Sequence, residues 1–311
     1  MKKVKVYEQK KCFYCSSPNV KKNGIRNGIQ QFKCHICGRH LKGGERNDYG
    51  EIYTIYSQGK QTYSDLASQF GLSASTIKRK IHSSLPSKSR VLIPGRVIVL
   101  ADTTYWGRNW GLLVLLNACT GELLWRKYVK HERLIDYKEG IDFLESIGFH
   151  IEGIVCDGLK GMFQQFSCYK VQMCQFHQVA IIRRYITISP KLEAGKELKA
   201  IVKLLTKTDK ESFVGLFDQW CKNWKDFLKE RRIDPQTGKS RYIHRKLRSA
   251  YLSIKRNLPY LFVYLDDIDL NMPNTNNKLE GTFSDLKNKL RCHNGLTKQN
   301  RKRFIDEFFK A

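Results

Sequence analysis

Two short apolar runs, VIVLA at 97–101 and LLVLL at 112–116, set the pattern of the central part of the chain. Each is too short for a buried helix and reads as a strand covered on both faces. VIVLADTTYW (97–106) is then a strand with Asp102 at its end, and GLLVLLNACTGELLWRKYVK (111–130) is two more strands joined by a turn at Thr120–Gly121. LIDYKEGIDFLESIGF (134–149) has the spacing of an amphipathic helix. IEGIVCDG (151–158) is a strand ending in Asp157, KGMFQQF a short helix, and KVQMCQFHQ (170–178) a further strand. Three strands followed by alternating helix and strand predict an α/β domain with a mixed sheet over 91–188.

The period changes after that. Residues 189–271 are helical, basic and aromatic, with KELKAIVKLL and FVGLFDQWCKNWKDFLKER as examples, and predict an all-helical insertion. Its Trp and Phe residues fall at helical spacing, which fits core better than base-stacking platforms. The domain resumes over 272–311 with TNNKLEGTFSDLKNKL (275–290), where Leu279, Phe283, Leu286 and Leu290 form one apolar stripe. At about 100° per residue, Glu280 and Lys287 lie within about 20° of each other at the border of that stripe.

Two smaller regions precede these. In 1–47, CFYC (12–15) and CHIC (34–37) are separated by 18 residues, and NGIRNGIQQFKC between them alternates around glycine turns. Two such knuckles bring Cys12, Cys15, Cys34 and Cys37 around one tetrahedral Zn²⁺, a closed and therefore structural site of the zinc-ribbon kind. In 48–90, YSDLASQFGLSASTIKRKI (63–81) places Leu66, Ala67 and Phe70 at helical spacing, turns at Gly71, and resumes with Leu72 and Ile77. That predicts a helix-turn-helix with Ser73 as the cap of its second helix. Ser75, Thr76, Lys78, Arg79 and Lys80 on that helix are the candidates for DNA contact. LPSKSR (85–90) reads as a linker.

Charge supplies the partner. Lys and Arg number 56 against 29 Asp and Glu, a formal net charge of +27. Residues 1–90 alone hold 18 basic and 5 acidic residues, a surplus of 13 on less than a third of the chain. Such a surplus points to a polyanion, nucleic acid above all, with double-stranded DNA as the partner of the helix-turn-helix. No apolar stretch follows the basic start MKKVKVYEQK and no run approaches membrane-spanning length, so neither export nor a membrane is expected. With four of its ten cysteines in CxxC pairs, the chain reads as a metal-binding protein of a reducing cytoplasm.

Within this basic chain, Asp102 and Asp157 close apolar strands and Glu280 opens a late helix. Carboxylates converging from separate elements make an oxygen-rich site for Mg²⁺ or Mn²⁺, and two such ions can hold the attacking and leaving oxygens of a phosphodiester in line. The strand ending in Asp102, the strand ending in Asp157, the CQFH stretch and NNKLEG-x5-K together resemble the RNase H-like DDE transposases of prokaryotic insertion sequences. The similarity is to the Mutator-like branch, in a variant with an N-terminal zinc-binding segment, and it covers nearly the whole chain. It implies a multi-domain α/β protein: zinc ribbon, helix-turn-helix, then an RNase H-like catalytic domain interrupted by the helical insertion. It further implies a DDE triad of Asp102, Asp157 and Glu280 holding two Mg²⁺ or Mn²⁺ ions, with Lys287 near DNA phosphate. Cys174 and His177 match the family's C-x2-H pair; hydrogen bonding, packing and half of a zinc site all remain open for them. The implied activity is metal-dependent cleavage and strand transfer at the terminal inverted repeats of its own element, by at least a dimer, in a prokaryotic, nucleoid-associated setting. A DNA-binding regulator or inactive relic, and a structure-specific nuclease of the same fold, are the alternatives.

Overall fold

The computed structural model describes residues 11–42, 49–83, 91–293 and 295–309. The linker read at 85–90 lies outside the described residues. The chain divides into two compact units, one combining the N-terminal region with Arg291–Phe309 and one running from Lys88 to Leu290.

In the first unit, strands β1 (Val20–Arg26), β2 (Ile29–Cys34) and β3 (His40–Lys42) form an antiparallel sheet in that order. Arg26 pairs with Ile29, so only Asn27 and Gly28 connect β1 to β2, and both have positive φ (49° and 74°). That is the two-residue turn whose twist matches the flanking strands. Helices α1 (Tyr49–Gln58), α2 (Tyr63–Phe70) and α3 (Ala74–Ser83) follow. Thr62 and Asp65 cap α2 reciprocally, and Gly71 ends it at φ 64° in the left-handed region. The Thr76 N–H donates to Ser73 Oγ at 3.1 Å, so Ser73 caps α3 as expected. The helix Lys298–Phe308 packs on α1. Buried Tyr56 stacks on Tyr63 (ring centroids 5.3 Å apart) and meets Phe304 edge-on (5.6 Å). The region expected to run unbroken over 272–311 is thus divided, because Phe304 and Ile305 are buried in the first unit rather than in the second.

The second unit is built on strands β4 (Arg96–Tyr105), β5 (Gly111–Asn117), β6 (Leu123–Val129), β7 (His150–Cys156) and β8 (Lys170–Met173), in the order β6-β5-β4-β7-β8. β4 pairs antiparallel with β5, which pairs antiparallel with β6, whereas β4–β7 and β7–β8 are parallel. A mixed five-stranded sheet is what the apolar runs predict. Helix α4 (Leu134–Ser146) packs on β5 and β6, and the short helix α5 (Met162–Gln165) links β7 to β8. Two expectations need correction. β4 continues three residues beyond Asp102 because its pairing with β5 extends to Tyr105 opposite Gly111. KVQMCQFHQ is not one strand: β8 stops at Met173, and helix α6 (Gln175–Ile186) begins with Cys174 as its cap residue.

The region read as an all-helical insertion contains α7 (Glu193–Leu204), α8 (Lys210–Asn223), a two-stranded hairpin of β9 (Arg231–Ile233) and β10 (Ser240–Tyr242), and α9 (Arg245–Asn257). The hairpin corrects that reading. Phe213, Phe217 and Trp220 are buried in the same apolar core as the sheet, as expected of core aromatics. The Trp220 indole N–H donates to the Ala194 carbonyl at 2.9 Å. Helix α10 (Asn277–Cys292) buries Leu279, Phe283, Leu286 and Leu290, the stripe read from the sequence.

α4 approaches the sheet so closely that a Cβ at Gly140 would lie 2.6 Å from Trp125 Cε3 and 2.7 Å from Leu115 Cδ1. Gly140→Ala would gain about 1 kcal/mol of helix propensity but overpack a rigid contact at about 1–3 kcal/mol. A net loss of up to about 2 kcal/mol by urea unfolding is expected; an increase in stability would show that the helix can move off the sheet.

Candidate catalytic and metal site

Strand register brings two of the three predicted acids together. Leu100 of β4 pairs with Val155 of β7, so two residues further along Asp102 lies beside Asp157. Cys156 pairs with Met173 of β8, and the Cys174 N–H donates to the Cys156 carbonyl at 2.8 Å, which puts Cys174 beside Asp157 in turn. Asp102, Asp157 and Cys174 thus form a row across three adjacent parallel strands, immediately past the C-terminal ends of β7 and β8 and three residues before that of β4. Neighbouring strands are about 4.8 Å apart, and such ends are where open α/β sheets bind ligands.

Local hydrogen bonds fix each acid. The Thr103 N–H donates to Asp102 Oδ1 at 2.7 Å, and the Leu159 N–H donates to Asp157 Oδ1 at 3.0 Å. Burial, and then the Asp157 charge, push the Asp102 carboxyl up to about 8, with smaller contributions from Glu132 and Glu280. Two carboxylates side by side, one of them buried, favour a bound cation or a retained proton.

Sequence reasoning missed Glu132. It lies in the β6–α4 loop, and the Tyr137 hydroxyl donates to its Oε1. The Tyr137 hydroxyl also lies 3.0 Å from Thr103 Oγ1, which ties the loop to β4. Burial and then Asp157 raise the Glu132 carboxyl above the usual range. Asp136 holds this loop in place: it is fully buried and accepts two bonds from Arg133 (2.8 and 2.9 Å) and an ion pair from Lys127 (2.9 Å). In the sequence Glu132 is one polar residue ahead of a helix; only the fold reveals its neighbours.

Glu280 comes from the first turn of α10, and its N–H donates to the Asn276 carbonyl at 2.9 Å. The helix start is pinned on two sides. Lys278 Nζ donates to the Ala118 and Cys119 carbonyls in the β5–β6 turn, at 2.7 and 2.6 Å. Asn276 Nδ2 donates to the carbonyl of Ala101, the residue before Asp102, at 3.2 Å. Glu280 Oε1 lies 3.6 Å from His177 Nδ1. The ligand atoms of Cys174, His177 and Glu280 all fall within 4.8 Å of one another, so Glu280's tightest grouping is with this pair. Lys287, on the same helix, is half-buried.

In the first unit the four predicted cysteines converge. Cys12 and Cys37 Sγ are 3.6 Å apart, as are Cys15 and Cys34. Bonds of about 2.3 Å to a tetrahedral zinc require sulfur separations of about 3.8 Å, so the set fits the ion. Backbone N–H donors, Cys37's first, lower the Cys34 thiol to about 6, which favours the thiolate a metal needs.

On α3, Ser75, Lys78 and Arg79 are exposed. Thr76 Oγ1 is 2.9 Å from Ser73 Oγ in the cap, and Lys80 Nζ sits 4.7 Å from the Tyr49 ring centroid. Two of the five candidate DNA contacts are therefore engaged within the unit.

No protein-family model and no curated protein matches the sequence. Among solved structures, the chain is similar to a chain in the cryo-EM structure of the simian T-cell lymphotropic virus intasome in complex with PP2A regulatory subunit B56 gamma, at 10% identity over 51% of this chain and 69% of that chain, with a TM-score of 0.22. An overlap that slight carries no argument about function. No helix among the described residues is long and apolar enough to cross a membrane.

Proposed function

We propose that the chain is a metal-dependent DNA strand-cleaving and strand-transfer enzyme of the DDE transposase type. The observation that carries this reading is the register row that sets Asp102 beside Asp157 at the ends of parallel strands, with Glu132 and Glu280 near enough to raise the Asp102 carboxyl. Four acids in one basic chain are costly to assemble unless a cation belongs there. Asp102 and Asp157, with Glu280 on the third side, would hold Mg²⁺ or Mn²⁺, which supplies charge neutralisation at the phosphate and a bound water of lowered pKa.

The chain's own residues position the reaction. Thr103 and Leu159 N–H groups aim the two aspartates, and the Lys278 and Asn276 contacts aim Glu280. Water adds to phosphorus as the P–O3′ bond breaks; solvent takes up the attacking water's protons and returns one to the departing O3′, leaving a 3′-hydroxyl and a 5′-phosphate. The freed 3′-hydroxyl then gives its proton to solvent and attacks a second phosphodiester, whose own P–O3′ bond breaks to leave a new 3′-hydroxyl, and no covalent enzyme intermediate forms. The zinc ribbon and α3 would grip the element's ends, and joining two ends requires at least two copies of the chain.

The test is cleavage of a plasmid carrying the gene with its native flanks, in Mg²⁺ or Mn²⁺. Wild type should cut at flanking inverted repeats, and Asp157→Asn should cut about 10³-fold more slowly or not at all. Tight binding of the flanks without cutting in either metal would replace this reading with a DNA-binding regulator. Cutting of branched DNA with no preference for the flanks would replace it with a structure-specific nuclease.

DNA affinity should fall steeply with salt. Lys78→Ala and Arg79→Ala should each lower the slope of log K against log salt by about one, with little change in sequence preference. Lys80→Ala should change it less, because that ammonium is already over Tyr49. A slope unaltered by Lys78→Ala would remove α3 as the phosphate-contacting helix.

A further inference from the structure

We propose that Cys174, His177 and Glu280 form a second soft-metal site, three ligands for a Zn²⁺-class ion whose fourth position opens to solvent. The inference concerns the third side of the acid site and stands on different observations.

First, the three ligand atoms already lie within 4.8 Å of one another, and the His177–Glu280 pair is at 3.6 Å. A tetrahedral ion with bonds of about 2.0–2.3 Å needs separations of about 3.3–3.8 Å. The difference is at most about 1.5 Å.

Second, His177 Nδ1 is buried and has no hydrogen-bond partner, since 3.6 Å to Glu280 is too long for one. Buried nitrogens are rarely left so. A metal bond would satisfy it.

Third, the frame is rigid. Cys174 and His177 sit three apart at the start of α6 and so share one side of the helix. The Gln175 N–H donates to the Asn274 carbonyl at 3.0 Å, Asn274 Nδ2 returns a bond to Gln175 Oε1 at 2.9 Å, and the Asn276 N–H points at Cys174 Sγ at 3.3 Å. These bonds lock the segment that carries Glu280 onto the segment that carries Cys174 and His177. A metal ligand set preorganised in this way needs little rearrangement to close.

Fourth, a surface cavity of about 370 Å³ is lined by Phe176, His177, Arg183 and Glu280 among others. It leaves room for a water or a phosphate oxygen in the fourth position, with the Arg183 guanidinium at its wall. Three protein ligands and an open fourth position describe a reactive zinc site rather than a closed structural one.

The donor set also selects the ion. One thiolate, one imidazole and one carboxylate favour Zn²⁺ over Mg²⁺ or Ca²⁺, which prefer oxygen alone. Asp102, Asp157 and Glu132 supply only oxygen and keep the Mg²⁺ or Mn²⁺ preference. Glu280, with two carboxylate oxygens, would be shared by the two donor sets, so the centre would hold unlike ions.

The experiment is the zinc content of the full chain, loaded with Zn²⁺, desalted and measured by mass spectrometry. Wild type should carry two equivalents. Cys174→Ser, His177→Ala and Glu280→Gln should each carry one, and Cys34→Ser should lose the other. Glu280 is 42% exposed, so Glu280→Gln keeps folding out of the comparison. Cobalt loading gives a second readout: the second equivalent should show a weaker thiolate charge-transfer band than the first, as one sulfur replaces four. One equivalent in wild type, or two retained in Glu280→Gln, would overturn the proposal and leave His177 and Glu280 as an ion pair. Strand cleavage is scored separately, so its absence would count against the transposase reading and leave the zinc count intact.

Discussion

Asp102→Asn is expected to raise thermal stability at alkaline pH in metal-free buffer while abolishing strand cleavage. The folded Asp102 carboxyl is pushed from 3.8 up to about 8, by burial first and then by Asp157. A carboxyl raised on folding contributes stability that is complete below its unfolded value and is lost as pH rises through the folded one. Wild type should therefore match the variant near pH 3–4 and fall behind it between about pH 4 and pH 8. A four-unit shift corresponds to at most about 5 kcal/mol at 1.36 kcal/mol per unit, and relaxation around a charged Asp102 reduces that to about 3 kcal/mol. For a unit of this size 1 kcal/mol moves Tm by about 2–4 °C, so a gap on the order of 6 °C or more at pH 9 is expected. Saturating Mg²⁺ or Mn²⁺ should close it by stabilising wild type and not the variant. Identical Tm differences at pH 4 and pH 9 would show that Asp102 is not held against its neighbours.

This combination distinguishes a site from a structural acid. Asp136 is buried too, but Arg133 and Lys127 neutralise it and hold its carboxyl below the usual range. Asp136→Asn should destabilise, opposite in sign to Asp102→Asn. Among the described residues no such cation is bonded to Asp102, and its nearest charges are acids. A folded protein keeps such an arrangement at a cost in stability, and function is the usual reason.

The sheet was legible because its central strands are apolar on both faces: β5 buries six of its seven residues. The order of Asp102, Asp157 and Glu280 was legible for the same reason, since each stands out against an apolar strand or stripe. The neighbours of those acids were not. Glu132 enters through the loop before α4, and its connection to Thr103 runs through a tyrosine hydroxyl that no sequence spacing reveals. The end of β8 was misread because KVQM and the CQFHQ after it are both mixed apolar and polar, and so short a segment does not separate a period of 2 from 3.6. The β9–β10 hairpin had a signal, Asp234-Pro-Gln-Thr-Gly238, whose Gly238 takes φ 65° in the turn. Helical patterning on either side hid it.

Removing zinc from the four-cysteine site is expected to unfold the ribbon while leaving the second unit intact. The ribbon's own apolar core is Cys12, Phe32, Cys34 and Leu41, with Val20 packed against it, so two of its four buried members are themselves metal ligands. A cluster that small cannot offset a conformational cost of about 1–2 kcal/mol per ordered residue, whereas zinc binding in comparable sites supplies about 10–16 kcal/mol. Cys34→Ser should therefore lose amide protection across 20–42 and expose the Asn27–Gly28 turn to proteases. Amides of β4 and β5 should stay protected, because their core is continuous with α8 and α9 and contains no ligand of this zinc. DNA binding should retain its salt-dependent, sequence-independent part, carried by basic residues elsewhere in the chain. Under the proposed function, its preference for the element's ends should fall by about 10-fold or more, the loss of a few specifying contacts. Undiminished protection of β1–β3 in Cys34→Ser, measured by hydrogen exchange, would mean that the hairpin turn and Phe32 hold the ribbon without metal.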